Sequence, residues 1–265
     1  MKFNLREFSR AFVPNQSVSP MVMRILILSQ VGILIGAWTV SSGRLLPTPS
    51  EVIEAFNRLW FDGLGHELWT SFNLNLEALA WTTLVSLSLA YLTVVPGLRS
   101  LIGLLTKLRY MSMIGFSLAF MLWLGAGHSL KVVMLSFGMS VFFLTGMASE
   151  IARIDKEEYD HARTLRMGEW RAVLEIVVIG RLDVAIELVR QNAAIGWMML
   201  TMVEVISRSE GGIGVLLYTQ NKYLRIDAIV AIQLSVLLLA LAQDYVIGLL
   251  KRVLCPHSQL GLARR

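Results

Sequence analysis

Long runs of residues without a charged side chain are the feature that most constrains this chain. Residues 25–43 and 110–130 contain no Asp, Glu, Lys or Arg. A helix rises about 1.5 Å per residue, so roughly 20 such residues cross the hydrocarbon core of a bilayer, about 30 Å thick. Because 55% of all residues are hydrophobic and only 16% are charged, the chain is too apolar for a soluble domain of this length. The sequence therefore predicts an all-α integral membrane protein.

Six membrane-spanning helices can be placed along the chain. The predicted spans are residues 25–43, 70–95, 110–126, 129–149, 182–206 and 227–250. Residues 1–24 are too polar and too broken by proline for a cleavable signal and are predicted to be an N-terminal segment outside the membrane. Residues 253–265 are predicted to be a tail, so residues 25–252 form one polytopic domain.

The basic residues indicate how these spans are oriented. Most of the 24 Lys and Arg residues fall in the N-terminal segment, between Arg99 and Arg109, between Arg153 and Arg181, and from Lys251 onward. Basic loops prefer the cytoplasmic side of a membrane. Both termini are therefore predicted to be cytoplasmic. The same alternation argues against a nucleic-acid-binding protein, despite the net charge of +5, because no separate basic module is present.

One long charged stretch, residues 150–181, interrupts the apolar runs and is called the charged segment below. Asp155 and Glu158 have the spacing of a capping box, which predicts a helix that begins at Lys156. Gly168 permits a break, and apolar residues recur at helical spacing from Trp170 onward. The sequence predicts two short helices beside the membrane. An amphipathic surface helix without a partner is the alternative.

The charged segment resembles the cytoplasmic EAA loop of ATP-binding-cassette importer permeases. That loop reads Glu-Ala-Ala-Arg-Thr-Leu-Gly and is followed by a Trp-Arg pair. This chain has Asp160-His161-Ala162-Arg163-Thr164-Leu165 and, at the same spacing, Trp170-Arg171. The match is degenerate, because Arg166 stands in place of the glycine and Ile179 stands where a Leu-Pro is expected. These departures concern the geometry with which the loop docks.

A second motif follows the first predicted span. Leu46-Pro47-Thr48-Pro49-Ser50-Glu51-Val52 resembles the Leu-Pro-Ser-Pro-Ser-Glu-Val of the nitrate, sulfonate and taurine subgroup of these permeases. Its prolines end the preceding helix, and Ser50 can cap a new one. Val52, Phe56 and Leu59 recur at helical spacing. An ordinary interfacial helix is the alternative for this segment.

The resemblance covers about residues 45–252 and implies the permease subunit of an importer in a bacterial inner membrane. It implies a homodimer or heterodimer surrounded by membrane lipid, cytoplasmic ATP-binding subunits that use ATP and magnesium, and an extracytoplasmic solute-binding protein. The solute is expected to be a small anion such as nitrate, a sulfonate or bicarbonate. In the family the third span begins with prolines, whereas residues 108–113 contain none, so we expect the kink there to be missing.

The family's EAA helix docks into a groove on an ATP-binding subunit and acts as a coupling helix. The residues of this chain that the resemblance assigns to that contact are Glu157, Glu158, Tyr159, Asp160, His161, Ala162, Arg163, Leu165 and Gly168.

The sequence contains no recognisable catalytic or metal-binding pattern. Its four His residues lie on both sides of the predicted membrane, Cys255 is the single cysteine, and no Gly-x4-Gly-Lys-Ser/Thr motif occurs. We therefore expect no enzymatic activity and no cofactor in this chain, with ATP hydrolysis in a partner subunit. A membrane-embedded enzyme or assembly factor, and a passive channel, are the alternatives.

Three charged residues within the predicted spans are candidate pore residues: Arg190, Glu204 and Asp244. Charges in a membrane are costly, so they normally face protein or water. Arg190 and Asp244 are predicted to lie at similar depth, which favours a buried ion pair over contact between Arg190 and an anionic solute. Glu204 is predicted either to pair with Arg208, one turn later, or to act at an outer gate. The gate would adjoin residues 210–217, which resemble the family's Gly-Leu-Gly-Tyr-Leu segment.

Overall fold

The computed structural model describes residues 13, 19–41 and 47–256, and the regular secondary structure of these residues is entirely helical. The predicted all-α class is confirmed. The predicted N-terminal segment at residues 1–12 and 14–18, the loop at 42–46 and the tail at 257–265 lie outside the described residues. The α-helices are α1 Pro20–Ser41, α2 Pro49–Phe61, α3 Leu64–Tyr91, α4 Pro96–Leu105, α5 Met113–Leu124, α6 His128–Ala152, α7 Lys156–Thr164, α8 Glu169–Val173, α9 Leu182–Ile206, α10 Ile213–Lys222 and α11 Ile226–Leu254.

Four helices of the described chain are long and apolar enough to cross a membrane: α1, α3, α6 and α11. A fifth candidate is the bent pair formed by residues 96–110 and α5. α9 has the limits predicted for the fifth span, but it is not among the helices that are long and apolar enough to cross a membrane. The structure therefore supports four or five spans, and the number six remains a prediction.

The region around α4 and α5 differs from its prediction. The basic connection after α3 is the helix α4, extended by a 3₁₀ turn at Thr106–Tyr110, and α5 has only 12 residues. A 12-residue helix is about 18 Å long and does not cross a bilayer alone. The two helices meet at an angle of 108°, because Met111 and Ser112 are extended. The expectation that the kink is missing here is therefore wrong, since the chain bends sharply without proline.

The helix after the first span forms as predicted, but with a different cap. Thr48, not Ser50, precedes α2. The Thr48 hydroxyl accepts a hydrogen bond from the Glu51 N–H at 3.3 Å, and the Thr48 N–H donates to the Glu51 carboxylate at 2.8 Å. This reciprocal pair is a capping box. The predicted apolar face packs into the core through Val52, Phe56 and Leu59.

The centre of the bundle is formed by α3, α6 and α9. α6 packs along both other helices, and α9 also contacts α10 and α11. The buried face of α3 carries small or polar side chains, which allow close helix approach in membrane proteins. Thr82 and Ser86 of this face donate hydrogen bonds to backbone carbonyls of α6 at 3.3 and 3.2 Å. α9 runs from the charged segment to a turn at residues 208–214, called the glycine loop below.

Candidate functional site

α7 begins at Lys156, as predicted, but without the predicted capping box. Asp155 precedes the helix, and its side chain makes no capping hydrogen bond. Glu158 instead accepts a hydrogen bond from Arg181, with 2.6 Å between Oε1 and Nη2. This ion pair draws the Glu158 side chain away from the helix start. It connects α7 directly to the residue that precedes α9.

Two of the predicted contact residues face the bundle rather than solvent. Ala162 is buried, and the half-buried Tyr159 packs against an apolar cluster that includes Ile151 and Val177. Burial, assisted by the neighbouring carboxylate of Glu158, raises the pKa of Tyr159. The structure therefore makes Tyr159 and Ala162 anchors of α7. The other predicted contact residues are exposed: Glu157, Glu158, Asp160, His161, Arg163, Leu165 and Gly168.

The turn after α7 is closed by its own backbone. The Arg166 N–H donates to the Arg163 carbonyl at 2.9 Å, and the Met167 N–H donates to the Ala162 carbonyl at 3.1 Å. This pair of bonds is a Schellman motif. Arg166 has a φ of 58°, a left-handed conformation that glycine adopts at lower cost. α8 then begins after Gly168, where the sequence predicted a break.

Arg163 bridges this turn from its exposed side. Its Nε lies 3.1 Å from Glu169 and its Nη1 lies 3.2 Å from Asp160. The hydrogen bond and the charge of Glu169, with a smaller effect from Asp160, raise the pKa of Arg163. Exposed ion pairs contribute little stability. Their effect here is to orient α7 and α8 relative to each other.

Charged side chains of α9 and α11 form a continuous network near the charged segment. Arg190 donates through Nε and Nη2 to the two carboxylate oxygens of Asp244, at 2.5 and 2.6 Å. Its Nη1 lies 3.8 Å from Glu187, which accepts a hydrogen bond from Lys251 at 2.7 Å. The network lines a cavity of about 890 Å³.

The predicted pair between Arg190 and Asp244 is therefore present, but it is not enclosed. The two side chains are 38% and 40% exposed. The charges that line the cavity cancel formally, since three residues are acidic and three are basic: Asp183, Glu187, Asp244, Arg190, Lys251 and Arg252. In this conformation the guanidinium of Arg190 is bound to carboxylates, so it does not offer a free site for an anion.

Glu204 lies at the other end of α9 and is fully buried. Its Oε1 accepts a hydrogen bond from the Ser71 hydroxyl at 2.5 Å, and its Oε2 accepts one from the Gly214 N–H at 2.6 Å. Arg208 lies elsewhere, with its guanidinium 4.3 Å from the centre of the Tyr218 ring. The predicted pair between Glu204 and Arg208 is therefore wrong. The hydrogen-bond partners of Glu204 are on α3 and α10.

Side chains from α3 and α9 cap the N-terminus of α10. The Gly212 N–H donates to Glu67, and the N–H groups of the next two residues donate to Ser71 and Glu204. These N–H groups have no partner within a helix, and negative charge is stabilised near them. Gly212 has a φ of 111°, and a Cβ there would collide with the Glu204 carboxylate. Glycine at this position lets the loop close over the acid.

Basic side chains complete the glycine-loop end. Lys131 is buried, and its Nζ donates to the Gly211 carbonyl at 3.2 Å and lies 4.0 Å from Glu210. His128, the first residue of α6, lies 2.7 Å from Glu77 and 3.3 Å from Glu210. The sequence interpretation placed Lys131 at the start of the fourth predicted span, residues 129–149, and missed this arrangement. Across the described residues, no group of His, Cys, Asp and Glu is arranged to hold a metal ion.

A protein-family model described as "binding-protein-dependent transport system inner membrane component" matches residues 77–256, from the middle of α3 to the end of α11. The chain belongs to this family. The permease is thus the membrane component of a binding-protein-dependent ABC transporter. A comparison with curated proteins gives no match. The matched region contains the charged segment, the ion-pair network and the glycine loop of the permease, whereas the motif at residues 46–52 lies outside it.

Proposed function

We propose that the permease is the membrane subunit of an ATP-driven importer and that α7 is its coupling helix. The observation that carries this proposal is the exposed leucine directly after a charged helix: Leu165, which follows α7, is 58% exposed beside exposed Asp160, His161 and Arg163. Such a surface offers an apolar contact surrounded by polar groups, which is typical of a protein interface. Its partner is a cytoplasmic ATP-binding subunit that holds ATP and magnesium.

The contacts behind α7 support a mechanical role. Tyr159 and Ala162 attach the helix to the bundle, and the pair between Glu158 and Arg181 attaches it to the start of α9. Between α8 and α9 the chain forms a π-helical turn at Leu174–Ile179, a structure often found at functional sites. Movement of α7 would therefore act on α9, which carries Arg190 and, near its other end, Glu204.

The conformation of Arg166 supports the resemblance to the EAA loop. The family has glycine at this position, and Arg166 is left-handed here, the conformation for which glycine is best suited. The departure from the family pattern thus changes the residue while keeping a turn that glycine would also form.

We propose six spans, formed by α1, α3, the bent pair of α4 and α5, α6, α9 and α11, within a membrane domain at residues 25–252. The charges of α9 are compatible with a membrane position because Glu187, Arg190 and Glu204 all have partners inside the protein. The distribution of Lys and Arg supports cytoplasmic termini and a cytoplasmic charged segment.

For the solute we propose a small anion such as nitrate, a sulfonate or bicarbonate, delivered by an extracytoplasmic binding protein. The support is the resemblance of residues 46–52 to the nitrate, sulfonate and taurine subgroup. The pore would lie between this permease and a second permease subunit, identical or different. Arg190 becomes available to an anion only when its pair with Asp244 opens.

The test is purification in mild detergent, identification of the co-purifying proteins by mass spectrometry, and uptake assays in proteoliposomes. We expect an ATP-binding subunit and a second permease subunit, and uptake of one of these anions that requires both ATP and the binding protein. Flux without ATP would instead indicate a passive channel. Substrate turnover by the isolated chain would indicate an enzyme.

A further inference from the structure

α4 bends sharply into the next helix, and its 3₁₀ turn packs against α6. Residues 96–110 and the apolar α5 meet at 108°. Ile102 is buried against the bundle, whereas Leu98, Leu101 and Leu104 are exposed. In a membrane protein, an exposed apolar face of this kind contacts lipid.

The charge of this region is entirely basic. The sequence contains no Asp or Glu between Glu77 and Glu150, while α4 and its 3₁₀ turn carry Arg99, Lys107 and Arg109. Basic side chains next to a membrane attract anionic lipid headgroups. The exposed leucines favour contact with lipid, and the excess positive charge favours a lipid whose headgroup is anionic.

A cavity of about 570 Å³ lies between α4, the end of α6 and the start of α7. Arg99, Gly103 and Thr106 line one wall, at the spacing of one helical face. Ser149 of α6 and Tyr159 of α7 line the opposite wall, and none of the described lining residues is acidic. The cavity therefore lies between α4 and the segment that carries α7.

Three donors in this cavity have no hydrogen-bond partner among the residues that the structure describes: the Arg99 guanidinium and the hydroxyls of Ser149 and Tyr159. Burial raises the pKa of Tyr159, so its hydroxyl keeps the proton that it would donate. By contrast, the hydroxyls of Thr106 and Thr145 already donate to carbonyls of their own helices at 2.9 and 2.7 Å.

Arg109 shows that the basic residues of this region are not equivalent. Its Nη2 lies 2.7 Å from the Tyr110 hydroxyl, and its guanidinium lies 4.8 Å from the centre of the Tyr110 ring. Arg109 does not line the cavity. Arg99 is therefore the basic side chain that is both unpaired and placed beside the free hydroxyls.

We propose that this cavity binds the phosphate of an anionic phospholipid, with the acyl chains in the neighbouring apolar cavity between α3, α4 and α6. Phosphate oxygens would accept hydrogen bonds from Arg99, Ser149 and Tyr159, and through Tyr159 the lipid would fix the position of α7. A lipid fits better than free phosphate because an apolar cavity of about 510 Å³, with Leu105, Leu108 and Leu144 in its lining, follows along the same two helices, α4 and α6. The inference requires a bilayer around the permease but not that α7 docks on an ATPase.

The test is lipid binding by the purified permease in neutral detergent, followed by thermal denaturation and by native mass spectrometry. Phosphatidylglycerol is titrated, with phosphatidylcholine, inorganic phosphate and glycerol 3-phosphate as separate arms. We expect only phosphatidylglycerol to raise Tm and to remain bound as single molecules. Equal stabilisation by phosphatidylcholine, or by either soluble phosphate, would overturn the assignment.

Matched variants locate the site. Arg99→Ala is expected to weaken phosphatidylglycerol binding about fivefold, whereas Arg99→Lys keeps most of the affinity. Arg109→Ala removes the same charge outside the cavity and should bind as the wild type does. Because Arg99 is exposed, Tm in neutral detergent alone should not change. If Arg99→Ala and Arg109→Ala lose the same affinity for phosphatidylglycerol, the effect comes from surface charge alone and the cavity site is refuted.

Discussion

The charged side chains at the two ends of α9 differ in how far they are buried. At the glycine loop, Glu204 is enclosed and hydrogen-bonded by Ser71 and by the backbone of α10. At the charged segment, Arg190 and Asp244 form two short bonds but remain 38% and 40% exposed. An enclosed and satisfied polar network is rigid, because opening it leaves polar groups without partners. The comparison indicates that the glycine-loop end is held together within the chain, whereas the charged end remains accessible to other molecules.

The largest effect on stability is expected at the closed end. Glu204→Ala leaves the buried Ser71 hydroxyl and the Gly214 N–H without their acceptor, at a cost of about 1–3 kcal/mol for each group. We expect an overall loss of roughly 3 kcal/mol and a clearly lower Tm in detergent. Glu204→Gln should lose less, since the amide keeps one acceptor oxygen. The control is Glu175→Ala, an exposed residue whose removal should leave Tm unchanged; an unchanged Tm for Glu204→Ala would refute the closed end.

A smaller effect is expected from the pair at the open end. Arg190→Ala leaves Asp244 facing a cavity, where water can replace the lost partner. We therefore expect each single alanine variant to lower Tm less than Glu204→Ala does. The double variant should be more stable than the sum of the single losses implies. Strictly additive losses in a double-mutant cycle would show that the two side chains do not interact in the membrane.

The smallest effect, and an increase in stability, is expected at Arg166. The left-handed backbone conformation costs a non-glycine residue about 1–2 kcal/mol. Glycine avoids this cost but loses more conformational freedom on folding, so only part of the cost is recovered. Arg166→Gly should therefore raise stability by roughly 0.5–1 kcal/mol. Arg166→Ala keeps the strain and provides the control. If both variants are stabilised by the same amount, the stabilisation comes from the removed charge and not from the backbone conformation.

The fold was predictable where it follows from length and apolarity along the chain. The limits of α9 match the predicted span, and Arg190 and Asp244 meet because their depths follow from residue counts along two helices. α4 was not predicted because its basic residues are typical of a loop between two spans. Its helical structure is supported by the packing of Ile102 into the bundle, which the local sequence does not reveal. The bend before α5 contains no proline or glycine that would have indicated it.

The partners of Glu204 were not predictable from local sequence. Arg208, one helical turn away, was the visible candidate, whereas Ser71 lies 133 positions away in the chain. Glu67 and Ser71 are four residues apart on α3, which places them on one face, but their partner could not be inferred from that spacing. The inward position of Tyr159 likewise depends on α7 packing against a cluster formed by other helices.

The claim that the charged end of the permease is open to a partner is tested most directly by one measurement. This is the affinity between the permease and the ATP-binding subunit that co-purifies with it. Leu165→Glu places a charge in the proposed contact, and because Leu165 is 58% exposed, stability should change by less than about 0.5 kcal/mol. Leu224→Glu makes the same change at an exposed leucine beyond α10. We predict that Leu165→Glu raises the Kd for the ATP-binding subunit by about tenfold or more and abolishes ATP-dependent uptake, while Leu224→Glu leaves the Kd unchanged. A Leu165→Glu permease that binds the subunit and transports at the wild-type rate would contradict the account.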